Sequence, residues 1–163
     1  MKLTEHLELA EFERSATAAR LHIDNRVPAE LVPNIRNLCE QVLEPLREHF
    51  GEAVYVTSGY RCPQLNRAVG GVANSQHMRG EAADICPCRE VEVSTAEGVV
   101  RRLVPDSTSA EARQRMREWA EWIMDNCPFD QLLRERRGQS CWLHVSLRST
   151  GENRQMVRKI ERK

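Results

Sequence analysis

Two short strand-like runs in this chain each place a costly group among apolar neighbours, and any fold must reconcile them. Asp84 stands among Ala82, Ala83 and Ile85, and His144 stands within Cys141-Trp142-Leu143-His144-Val145. A carboxylate in a buried strand is expensive unless it is paired, hydrogen-bonded or bound to a metal. A buried imidazole left without a partner costs about 1 to 3 kcal/mol. His77 precedes Asp84, with Gly80 between them. A glycine there lets the backbone turn sharply, so a histidine before the turn and a carboxylate after it can converge on one point. Two neutral imidazoles and one carboxylate form a catalytic zinc set, with a fourth position open for water. Taken singly, each segment also fits a hydrogen-bonded core histidine and an aspartate capping a neighbouring turn.

The surrounding pattern supplies elements that can carry these groups. Over residues 28–50 the apolar positions Leu31, Val32, Ile35, Leu38, Val42, Leu43, Leu46 and Phe50 recur at spacings of three and four. That spacing predicts an amphipathic helix, ended by Gly51 and bent or delayed by Pro33 and Pro45. Residues 53–57 read as a strand, and a short helix starts at Pro63 and ends at Gly70-Gly71. Residues 82–85 form a short buried strand, and 109–126 a second long helix whose stripe includes Met116, Trp119 and Ile123. Residues 129–134 and 141–147 read as two strands of a hairpin around the polar ERRGQS. The span 90–108 is expected to be a surface loop with a helix over about 96–103. The tail from Gly151, with Arg154, Arg158, Lys159, Arg162 and Lys163, is expected to be a solvated basic excess. Irregularly mixed strands and helices favour α+β, a small mixed or antiparallel sheet with flanking helices in a single domain over 1–163.

Composition narrows the function classes. With 163 residues, 40% of them hydrophobic and 29% charged, the chain is an ordinary globular domain. Lys plus Arg and Asp plus Glu number 24 each, so no whole-protein field favours nucleic acid or an anionic membrane. No apolar stretch approaches the roughly 20 residues of a membrane span. Acidic residues interrupt MKLTEHLELAEFERS, which does not read as a secretory signal. Synthesis in the cytoplasm is therefore expected, with the six cysteines as thiols. The C-x-C at Cys86 and Cys88 is too weak a motif to mark a metal site.

The pattern S-x-H-x-x-G-x-A-x-D, filled by Ser75, His77, Gly80, Ala82 and Asp84, and W-x-H at Trp142 and His144 resemble zinc D-alanyl-D-alanine carboxypeptidases of the M15 peptidase family. SGYRCPQLNRAVGG over 58–71 is similar to the family's SGYR segment, and FDQLLRE over 129–135 to its penultimate strand. The resemblance covers most of the chain and points to the small single-domain branch, with a hedgehog/DD-peptidase fold. It implies Zn2+ held by His77, Asp84 and His144, Glu135 as general base, Arg61 as a catalytic and substrate-binding cation, and Ser75 as a lesser substrate contact. A salt bridge that organises the loop is the alternative role for Arg61. The implied reaction is hydrolysis of an amide in peptidoglycan stem peptides, as a carboxypeptidase or an endolysin-type endopeptidase, with the protein a monomer. A phage-type release to the cell wall would reconcile that substrate with the missing export signal. The alternative is a zinc-stabilised binding module of hedgehog type without turnover. One departure stands out: ERRGQSCWLH separates Glu135 from His144 by about three residues more than in familiar members. Strand register, rather than loop length, then decides whether Glu135 faces the metal.

Overall fold

The computed structural model describes residues 1–163. Two short helices, α1 (Leu9–Glu13) and α2 (Ala16–Arg20), precede the long helical segment predicted over 28–50. That segment is broken as its prolines require. Pro33 sits in the first turn of α3 (Val32–Leu38), where its missing N–H costs nothing. A π-helical turn, Cys39–Leu43, then leads into α4 (Glu44–Phe50) with Pro45 in its opening turn. The wider turn gives room to the proline ring, which would clash with a preceding carbonyl in a regular helix. Gly51 closes the segment in the left-handed conformation, φ 64°. Helix α5 (Pro63–Ala68) and the long α6 (Ala110–Asn126) occupy the predicted positions.

Six strands make one mixed sheet: β1 (Val54–Ser58), β2 (Ala82–Thr95), β3 (Gly98–Pro105), β4 (Gln131–Arg137), β5 (Ser140–Ser146) and β6 (Met156–Arg162). The order is β1-β2-β5-β4-β6, with β3 paired to the outer half of β2. All pairs are antiparallel except β4 with β6. The class is therefore α+β, as the element pattern indicated. Alternation along the strands divides its chemistry. Ala83, Ile85, Leu132, Leu143 and Val145 are fully buried in one core cluster with Leu43, Leu46, Trp119 and Ile123 of the helices. Ser58, Asp84, His144 and Leu133 are matched in register across β1, β2, β5 and β4 and so share the opposite face.

Two expectations fail. The span 90–108 is a hairpin rather than a loop with a helix: β2 runs on to Thr95 and β3 returns along it. Val91 and Val93 alternate with Glu90 and Glu92, a period-two pattern that suits a ribbon. Arg101 lies 3.7 Å from Glu90 and 3.8 Å from Glu92 across the strands. The C-terminal segment is not a solvated tail either, since β6 adds a parallel edge strand to β4, and FDQLLRE is thus followed by two strands rather than one.

The anchor of that edge is Asp130, fully buried just before β4. Its carboxylate accepts from the Arg154 backbone at 2.8 Å and from Arg154 Nη2 at 2.6 Å. Burial alone would raise its pKa, but the Arg154 hydrogen bonds and the Arg148 charge hold it down at about 2. A folded pKa below the unfolded value of about 3.9 contributes stability that is full above pH 4 and lost as pH falls toward 2. The gap in unfolding free energy between wild type and Asp130→Asn should therefore shrink by about 2 kcal/mol between pH 5 and pH 2. Denaturant titrations at stepped pH measure it, and a pH-independent gap would discount the ion pair as the anchor.

Candidate metal centre

Local backbone features bring His77 and Asp84 together. A 3-10 turn, Gln76–Arg79, carries His77 and ends at Gly80 with φ 67°. A Cβ at Gly80 would lie 2.9 Å from Ile35 Cγ1 and 3.1 Å from the Leu31 carbonyl, so both the conformation and the space exclude a side chain. The chain then enters β2 and reaches Asp84 on the cleft face. Opposite it, β1 has a bulge between Val56 and Ser58, and the Thr57 hydroxyl donates to the Asp84 carbonyl at 3.1 Å. His144 is the direct register partner of Asp84 on β5. Ligating atoms of His77, Asp84 and His144 all lie within 4.8 Å of one another, and all three residues are buried.

Tautomer logic shows what these atoms lack. His77 Nδ1 lies 2.7 Å from the Gly59 carbonyl, which can only accept, so Nδ1 carries the hydrogen. Burial pushes the His77 pKa down, outweighing the opposing pull of Asp84, and the ring is neutral. Its Nε2 is then a bare lone pair, 3.4 Å from Asp84 Oδ1. Asp84 Oδ1 meets it as an acceptor, because the carboxylate is paired through its other oxygen, Oδ2, with Arg61 Nη2 at 3.1 Å and an ionised carboxylate only accepts. Two acceptors facing each other repel unless a cation lies between them. Ligands on tetrahedral zinc, with bonds of roughly 2.0 to 2.1 Å, stand about 3.3 Å apart. His144 Nδ1 is 2.9 Å from the same Asp84 oxygen, and its buried Nε2 has no partner. The donor set fits a divalent metal.

Arg61 is paired with the triad: Nη2 donates to Asp84 Oδ2 at 3.1 Å and Nε to the Ser58 hydroxyl at 3.0 Å. It thus holds the second Asp84 oxygen and leaves Oδ1 to the histidines. Ser75 is buried and lines the cleft, but its hydroxyl makes no hydrogen bond to the triad. Trp142 forms part of the wall, its indole nitrogen buried without a partner.

Glu135 lies in register with Trp142 and therefore diagonal to His144 on the same face. The additional residues of ERRGQS lengthen the strands, which are joined by only Gly138 and Gln139. Register keeps Glu135 in the cleft. Its buried carboxylate is gripped at both oxygens by Arg162 of β6, Nε to Oε2 at 2.8 Å and Nη2 to Oε1 at 3.0 Å. Sequence reading placed Arg162 only among the basic residues of the C-terminal tail and gave no sign of this contact. His77, Asp84, His144, Glu135 and Arg61 all line one cleft of about 530 Å³. The six cysteines are free thiols, and none joins the metal-ligating group.

A family described as Peptidase M15 matches residues 5–120. The match includes Arg61, Ser75, His77 and Asp84, while Glu135, His144 and Arg162 come from strands beyond it. No curated protein matches the chain.

Proposed function

The chain belongs to the M15 peptidase family, and on that premise we propose that it is a zinc peptidase that hydrolyses an amide in peptidoglycan stem peptides. The observation that carries the reading is the bare His77 Nε2 facing the Asp84 carboxylate, with His144 completing the set beside an acid in the same cleft. His77, Asp84 and His144 would hold the zinc, which when bound supplies Lewis acidity and lowers the pKa of water to about 7.

Side chains of the protein do the rest. Glu135 accepts a proton from the attacking water and returns it to the leaving nitrogen. A carboxylate has about four lone-pair sites, so the two taken by Arg162 leave others free for that proton. The bidentate grip fixes the carboxylate plane and spares the acid a search among rotamers. Arg61 keeps Asp84 charged and oriented toward the histidines. Leu133 and Trp142 line the wall beside the reacting centre and limit its exposure to bulk water.

The test is a digest of purified muropeptides with metal analysis of the same preparation. One zinc per chain is expected, with cleavage products that disappear under a chelator and return on adding zinc. Cleavage indifferent to the chelator would overturn the zinc mechanism. Bound zinc without any cleavage would favour the binding-module alternative.

A further inference from the structure

Positive charge is concentrated around this cleft although the chain as a whole is neutral. Six arginines line it: Arg61, Arg79, Arg137, Arg148, Arg154 and Arg162. Four carboxylates answer them. Asp84 pairs with Arg61, Glu81 with Arg79, Glu135 with Arg162, and Asp130 lies against both Arg148 and Arg154. Two guanidinium groups are therefore in surplus, before any metal adds its own charge.

The surplus can be assigned to residues. Arg154 makes three side-chain hydrogen bonds to Asp130 and a fourth from its backbone, which occupies that carboxylate. Arg148 comes nearest the same acid through Nε, 3.0 Å from Oδ1, and its two terminal nitrogens make no hydrogen bond. The Arg137 side chain makes no hydrogen bond or ion pair. It shares the cleft face with Glu135, two residues along β4, and its register partner on β6 is Arg162. These two groups sit at opposite ends of the cleft. Arg137 ends β4, whereas Arg148 follows Ser146, which pairs with Gln131 at the start of β4. The His144 and Leu133 row lies between. At about 3.3 Å per residue, the six steps from Gln131 to Arg137 span about 20 Å, the length of a short extended peptide.

We propose that Arg137 and Arg148 are two carboxylate subsites flanking the metal centre, and that the substrate is an acidic peptide with a free carboxylate on each side of the cleaved amide. Guanidinium groups suit this task because their planar fork matches a carboxylate and never loses its charge. This inference rests on the peptidase reading and adds which groups of the substrate the two ends of the cleft hold.

A synthetic pentapeptide of wall-stem type, with its side-chain and terminal carboxylates free, is compared with matched peptides amidated at one or the other. Wild-type zinc-loaded protein should lose about tenfold to hundredfold in kcat/KM for each amidation, as expected for a lost charge-assisted contact. Arg137→Gln should erase the preference for one carboxylate and Arg148→Gln the preference for the other. Each variant should process the corresponding amide as wild type does. Equal treatment of free and amidated peptides by wild type, or equal losses on both forms in the variants, overturns the proposal. The same peptides, N-methylated at the scissile amide, are titrated calorimetrically against the same proteins. If no peptide is cleaved yet the free carboxylates still bind more tightly through Arg137 and Arg148, the subsites stand and the hydrolase reading fails.

Discussion

Glu135→Gln is expected to retain zinc and fold while losing about a thousandfold or more in kcat on stem peptides. General acid–base catalysis by one positioned side chain contributes typically 10² to 10⁴, and in the proposed mechanism one group serves both proton transfers. Glutamine is close to isosteric with the native acid. Its amide oxygen can still accept from Arg162, so strand β6 keeps a partner for that guanidinium. What it cannot do is take a proton from water at neutral pH. The Arg162 side chain is 44% exposed, so a lost charge contact there is screened, and the stability change should stay within about 1 kcal/mol. Single-turnover digestion of a muropeptide, with metal analysis and a thermal melt of the same sample, separates these effects. Undiminished turnover would remove Glu135 from the mechanism. A loss of zinc together with activity would mean instead that the acid supports the metal site.

The legible parts of the molecule were those in which a single pattern dominated. Three and four spacing placed the two long helical segments, and Pro33 and Pro45 marked where the first would be broken. Asp84 and His144 stand out because charged or polar groups in apolar strand runs demand partners, and the register of β2 and β5 pairs them, while His77 is brought to them by the turn at Gly80. Glu135 reaches the cleft because the added residues extend β4 and β5 and leave the alternation along each strand unchanged. The failures share a physical cause. The β2–β3 ribbon buries little apolar surface, so its Val and Glu alternation and its Arg101 to Glu90 and Glu92 contacts were outweighed by its polarity. The basic residues of the C-terminal strand give it the pattern of solvated chain. Those residues are counterparts to buried acids on the neighbouring strand segment: Arg154 answers the fully buried Asp130 and Arg162 answers Glu135. A buried carboxylate in one strand predicts a cation in another, but the sequence does not say which.

In the proposed site Asp84 is where metal binding and stability meet, and Asp84→Ala should have the largest effect on both. The substitution removes the anion that accepts from both Arg61 and His144, whose side chains are 16% and 9% exposed. Breaking a buried charge cluster by deleting one partner costs about 3 to 5 kcal/mol, because the remaining groups stay desolvated without compensation. Zinc should then be lost as well, since two imidazoles without a carboxylate do not make the three-ligand set that holds a catalytic ion. Denaturant unfolding with a chelator present isolates the first effect, and the extra stability that wild type gains on adding zinc isolates the second. Asp84→Asn distinguishes charge from hydrogen bonding. Its amide oxygen can accept from Arg61 and its size fills the same space, so it should recover much of the chelated-state stability while still failing to retain zinc. If Asp84→Asn kept full zinc occupancy, the carboxylate would not be a ligand, and the His77 lone pair would have to find its cation elsewhere.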